Sequence, residues 1–205
     1  MKKKLRILLN MIIVIAVFAA WLGMALRGSG LLSGSGLRNL KYFTVLSNLM
    51  EGIVCIVWLA SLRKESHQGA ERLKYIAATA VFLTFTIVAV FLGPLYGFSS
   101  MYQNANLWFH LIIPVLAIIE SLFLCEERFT RRDNVLVALP PLLYGCVYLC
   151  NVLLNGIGEW PETNDWYGFL NWGYPVGILI FACICAVSWL LGRILRISRS
   201  GKEQA

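Results

Sequence analysis

Charge is scarce in this sequence. Only 14% of its 205 residues are Asp, Glu, Lys or Arg, against about 25% in a soluble domain. No polar stretch is long enough to form a soluble domain, because every segment between apolar runs is short. No internal repeat stands out, which argues against a transporter built from inverted repeats. Cysteines are present, but not as a framework. Cys55, Cys125, Cys146, Cys150, Cys183 and Cys185 lie in or at the edge of apolar segments, and no two share a loop. Neither close pair, Cys146/Cys150 or Cys183/Cys185, has a His or a further Cys pair nearby, so the pattern is not that of a zinc site. These residues read as free thiols filling apolar space.

Apolar residues are abundant. Hydrophobic side chains make up 59% of the chain and the mean hydropathy is +0.70. A membrane-spanning helix needs about 20 apolar residues. Six segments qualify, at 5–26, 42–62, 73–94, 105–125, 134–155 and 172–195. The third is interrupted late by Gly93-Pro94, and the fifth carries Pro140-Pro141 near its start. The fold class expected is an all-α integral membrane bundle of six transmembrane helices forming one domain over 1–205. Lys2, Lys3, Lys4 and Arg6 precede the first run, as in a signal peptide. That run is too long for a cleaved h-region and ends without a small-residue cleavage site.

The basic residues assign the topology. Fifteen of the eighteen fall in the N-terminal stretch, the second and fourth connections and the C-terminal tail, leaving Arg27, Arg38 and Lys41 on the other side. By the positive-inside rule both termini are cytoplasmic. The net charge of +7 is then a topology signal with attraction to anionic lipid, not a nucleic-acid footprint. The last outer loop, 156–171, carries Trp160, Trp166, Tyr167 and Phe169 with Glu159, Glu162 and Asp165. It reads either as an interfacial aromatic belt or as a lid over a site.

Ionisable residues inside a membrane bundle mark functional sites by default, and three fall well within the spans: Glu51, His110 and Glu120. On the second helix Thr44, Ser47, Asn48 and Glu51 recur at i, i+3, i+4 and i+7 and share one face. On the fourth, Pro114 follows His110 by four residues and cannot donate to the His110 carbonyl, so a kink is expected. Thr44 and His110 fall at similar depth, each within roughly 10 Å of the outer surface at ~1.5 Å per residue. A Thr hydroxyl needs an adjacent base, and His110 is of the type to serve. Asn48 is a candidate oxyanion donor, Ser47 a competing nucleophile, and Glu120 is placed to pair with a basic residue near the inner surface. The plainer reading of the same stripe is interhelical hydrogen bonding.

At these residues the sequence resembles a known family. The run Tyr42-Phe43-Thr44-Val45-Leu46-Ser47-Asn48, the segment from Trp108 to Glu120, and Leu139-Pro140-Pro141 followed by the aromatic loop and a final span look like the androgen-induced six-span membrane hydrolases, which include bacterial relatives. The resemblance runs from about Tyr42 to Tyr174. It implies a multi-pass protein with cytoplasmic termini that hydrolyses fatty acid esters of hydroxy fatty acids. It also implies an intramembrane Thr nucleophile matching Thr44 and a His matching His110. One motif departs: relatives carry a Tyr-Pro-Phe-Leu-Asp type run where this chain has Tyr167-Gly168-Phe169-Leu170-Asn171.

The function expected is therefore a lipid ester hydrolase within the bilayer, in a bacterial cytoplasmic membrane. Thr44 and His110 are catalytic, Asn48, Ser47 and Glu51 supporting, and membrane lipid is the partner. No metal, organic cofactor or nucleic acid is called for. Two other classes stay open. A proton-coupled carrier would use Glu51, His110 and Glu120 as relays, although the inner halves of the other helices offer little to continue such a path. A non-catalytic partner subunit would use the polar stripe as glue.

Overall fold

The computed structural model describes residues 1–27, 36–63, 66–159 and 163–200. The Gly- and Ser-rich stretch 28–35, Lys64, Trp160, Glu162 and Lys202 lie outside the described residues. Among those described, six helices are long and apolar enough to cross a membrane. They are α1 (Lys2–Arg27), α2 (Phe43–Ser61), α3 (Gln68–Tyr96), α4 (Asn104–Leu124), α5 (Arg131–Asn155) and α6 (Tyr174–Ser200). They match the six expected runs, with α3 starting earlier than residue 73 and α5 earlier than residue 134.

The helices run up and down, so each end of the bundle gathers alternate termini. At the end bearing the N-terminus, Arg6 of α1 meets Glu71 of α3 and Glu120 of α4. There too Tyr75 of α3 donates to Asn134 of α5 at 2.6 Å and to the Gly192 carbonyl of α6 at 2.9 Å. This is called the terminal end below, and the opposite one the far end. The core is a seam of Ile13 and Val17 from α1, Val45 and Cys55 from α2, Ala78 and Val81 from α3, and Phe109, Ile113 and Ala117 from α4. Small residues let these helices approach closely. A methyl group on Gly52 would fall 2.8 Å from the Val17 side chain, so α1 and α2 touch there. The outer surface is an apolar girdle. Val90, Val147 and Leu154 are 73%, 68% and 84% exposed, which suits lipid and not water.

The prolines act locally. Pro140 and Pro141 follow directly on an interruption in α5. The helix opens at Arg131, capped by reciprocal hydrogen bonds between Thr130 and Asp133, yields at Val137 and Ala138, and resumes at Leu139. The prolines thus occupy a first turn, where no amide donor is needed. Ahead of Pro94 and of Pro114 the helix widens into a π turn, at Val88–Leu92 and Trp108–Ile112. The N–H of Gly93 reaches back to Val88 and that of Ile113 to Trp108. Where the sequence predicts a kink at His110–Pro114, the structure has a widened turn that contains His110.

Candidate active site

A narrow cleft opens at the far half of the bundle between α2, α3, α5 and α6. It measures about 520 Å³ with its open mouth included. Its walls are almost wholly apolar: Leu83, Ile87, Val88 and Leu92 from α3, Pro141 and Tyr144 from α5, and Phe181 and Ile184 from α6. The polar exceptions include Thr44 and Thr84. Thr44 is the second residue of α2 and half-buried. It stands beside the positive end of the helix dipole, where unsatisfied N–H groups favour negative charge.

The described part of the last loop, 163–171, reaches this cleft. Tyr167 and Phe169 are part of its lining, which favours a lid over a bare aromatic belt. Asp165, 5% exposed, organises the loop from below. It accepts a short hydrogen bond from the Tyr148 hydroxyl and another from the Leu170 N–H at 3.0 Å. Tyr167 packs edge-on to Tyr42 and stacks on Phe169, while Trp166 donates to the Tyr144 hydroxyl at 2.9 Å. The Phe43 N–H donates to the Tyr167 oxygen at 3.0 Å, so the loop is tied to the residue before Thr44. Burial pushes the Tyr167 phenol up to about 12.

His110 is buried on α4 and is not among the residues lining the cleft. Its Nδ1 lies 2.8 Å from the Met101 carbonyl. A carbonyl can only accept, so Nδ1 carries the proton, and in the neutral ring Nε2 is left with a free lone pair. Nε2 is then the only ring nitrogen that can accept a proton.

Asn48 connects the two elements. Its amide nitrogen donates to the Thr44 carbonyl at 2.7 Å and to the Phe109 carbonyl at 3.0 Å. Both N–H bonds of Asn48 are thereby spent on backbone, which makes it a clamp between the start of α2 and the residue preceding His110. Ser47 accompanies it, with its hydroxyl 3.1 Å from the Thr44 carbonyl and 3.0 Å from the Thr84 hydroxyl. The stripe read on α2 is thus internal, with Ser47, Asn48 and Glu51 all buried. Its members diverge: Ser47 toward α3, Asn48 toward α4, and Glu51 deeper.

Glu51 belongs to a second polar centre that was not expected at this size. Lys74 of α3 donates to Glu51 at 2.5 Å and lies 3.7 Å from Glu120. Glu120 also receives Arg6 at 2.5 Å, and Arg6 pairs with both oxygens of Glu71 at 2.6 and 2.7 Å. Trp58 donates to Glu71, and the Arg6 guanidinium lies 4.3 Å over the Trp58 ring. Glu120 does pair with basic residues as expected. The reading of Arg6 and Lys74 as charges of the aqueous flank needs correction, because both are buried. So does the statement that the inner helix halves hold little that is polar. Beside the cluster, a polar recess of about 750 Å³, its open mouth included, is lined at the terminal end by Lys3, Arg6, His67, Glu71, Glu126 and Glu127 among others.

No three His, Cys, Asp or Glu side chains among the described residues converge so as to hold a metal ion. All six cysteines are free, and Cys55 is more than filler, with its sulfur 3.1 Å from the Lys74 ammonium. Comparison of the chain with protein-family models, with curated proteins and with solved structures finds no match.

Proposed function

We propose that this chain is a multi-pass membrane protein, with both termini cytoplasmic, that hydrolyses lipid esters within the outer half of a bacterial cytoplasmic membrane. The observation that carries this reading is Thr44 in the wall of a largely apolar cleft that Tyr167 and Phe169 of the last loop also line. Its apolar walls suit contact with an acyl chain, and its few polar groups suit an ester. The substrate class is fatty acid esters of hydroxy fatty acids, in line with the resemblance at Thr44 and His110.

In this mechanism Nε2 of His110 takes the Thr44 proton as Oγ1 attacks the ester carbonyl carbon. The tetrahedral oxyanion forms beside the positive end of α2. The bond to the alkoxy oxygen then breaks, and His110 returns its proton to the leaving hydroxy acid. Water, deprotonated by His110, attacks the acyl-Thr44 ester, frees the fatty acid and restores the Thr44 hydroxyl. The step requires Oγ1 and Nε2 within hydrogen-bond reach, directly or through one water. Asn48 ties the Thr44 carbonyl to the carbonyl of Phe109, the residue before His110, and the Met101 carbonyl supports the tautomer.

An acylating probe followed by mass spectrometry tests the nucleophile. A probe adduct on Thr44, absent after His110→Ala in a folded protein, supports the reading. Labelling that ignores both residues counts against it.

A further inference from the structure

Between α1 and α2 a groove runs along the outside of the bundle toward the terminal end. The two helices touch farther in, where Gly52 meets Val17. They run antiparallel, so the residues after Gly52 face those before Val17. There Val14 and Leu59 form a half-buried floor. Met11 and Ile15 on one side, and Ile56 and Ala60 on the other, are exposed and form the walls. The space measures about 920 Å³, its open face included. It shares no lining residue with the cleft at Thr44.

The groove ends in positive charge. Arg63, just beyond the last residue of α2, completes its lining. Arg63 is exposed, and among the described residues it makes no ion pair or side-chain hydrogen bond. Other basic residues of this end are engaged: Arg72 lies 3.1 Å from Asp133, and Arg193 sits over the Trp189 ring. Lys4, also exposed, shares the α1 face of Leu8, Met11 and Ile15 and lies on it nearer the terminal end. No carboxylate among the described residues lines the groove. An apolar trough that ends on a guanidinium matches a phospholipid in both of its parts. The trough suits an acyl chain, and the paired N–H donors of Arg suit a phosphate. With two cations and no acid at this end, a lipid of net negative charge is favoured. The ammonium of a zwitterionic headgroup would find no partner among these residues.

We propose that the groove between α1 and α2 is a binding site for an anionic phospholipid of the leaflet at the terminal end. One acyl chain lies between the Met11–Ile15 wall and the Ile56–Ala60 wall, and the phosphate rests on Arg63 with Lys4 beside it. The proposal rests on the multi-pass reading and is independent of Thr44 as a nucleophile. It differs from diffuse attraction to a basic surface, because one named arginine and one named groove decide it.

Native mass spectrometry tests the proposal by counting the lipid kept by the full chain. The protein is released by detergent from vesicles of equal parts phosphatidylglycerol and phosphatidylcholine. Wild type is expected to keep phosphatidylglycerol over phosphatidylcholine by about tenfold, and Arg63→Gln to lose about fivefold of that preference. Ala60→Phe fills the groove from an exposed position and should lose bound lipid of both kinds. Arg132→Gln, an exposed charge on α5, should match wild type. All three variants should melt with wild type when no lipid is added, so that lost binding is not lost folding. Equal retention of the two lipids by wild type overturns the proposal. So does wild-type retention by both Arg63→Gln and Ala60→Phe, or a loss in Arg132→Gln as large as in Arg63→Gln. A wild-type dimer that Ala60→Phe splits would give the groove to a second copy and overturn it too. A chain that alkaline carbonate strips from the vesicles refutes the multi-pass reading and the proposal with it, whereas absent lipid selectivity in an embedded chain overturns the proposal alone.

Discussion

The amide nitrogen of Asn48 lies 3.0 Å from the backbone carbonyl of Phe109, and the same nitrogen lies 2.7 Å from the carbonyl of Thr44. One side chain thus fixes the start of α2 against the widened turn of α4 that carries His110. Replacing Asn48 with Leu removes both hydrogen bonds and strands the Phe109 carbonyl in the core. We expect a loss of about 1–3 kcal/mol in stability, measured by thermal unfolding in detergent. On the hydrolase reading kcat falls at least tenfold with KM little changed, since geometry between nucleophile and base suffers while the cleft is intact.

Arg6 neutralises two carboxylates from two helices. Arg6→Met leaves Glu71 and Glu120 buried with one partner fewer. Breaking a buried ion pair from one side costs on the order of 3–5 kcal/mol. Unfolding in a denaturant series should show that loss, and Arg63→Met, on an exposed flank, should show almost none. Equal effects from the two substitutions would mean that the network contributes no more than a surface charge.

Asp165 anchors the aromatic loop through Tyr148 and the Leu170 N–H. Asp165→Ala should loosen residues 163–171 while leaving the six helices in place. Hydrogen exchange should speed up in that loop alone, and the protection of α3 and α4 should persist. Loss of protection throughout would show that the loop is a structural keystone and not a lid.

High pH should open the same loop. The Tyr167 phenol is raised to about 12, against about 10 when unfolded. A raised phenol means that the fold favours the neutral form. Its contribution is full below pH 10 and is lost as pH climbs from 10 to 12. Stability should fall by on the order of 2 kcal/mol over that window, and Tyr167→Phe should flatten this part of the profile.

Much of the architecture was readable from hydropathy, because a bilayer demands some 20 apolar residues per crossing and little else satisfies that pattern. The irregular turn ahead of Pro114 was readable because a missing N–H leaves the carbonyl four residues earlier without its helical partner. The α2 stripe was readable from its 3.6-residue period. The buried cluster was not. Lys and Arg near helix ends normally reach water, so Arg6 and Lys74 were counted as flanking charges. Nothing local distinguishes them from Arg72, also on α3, whose side chain is 47% exposed. A sign was available in Glu71 and Lys74, which share the first turns of a helix that begins at Gln68 and not at 73. The cleft walls were equally hidden, since Pro141, Phe181 and Ile184 belong to apolar runs with no polar rhythm to orient them.

Turnover of a fatty acid ester of a hydroxy fatty acid by the purified protein in detergent tests the central claim most directly. Thr44→Ala and His110→Ala, each shown to be folded, are measured beside it. The account predicts that wild type releases both acids and that each variant loses at least a hundredfold in kcat. Hydrolysis that survives either substitution, or a wild type that never turns over the ester, would contradict it.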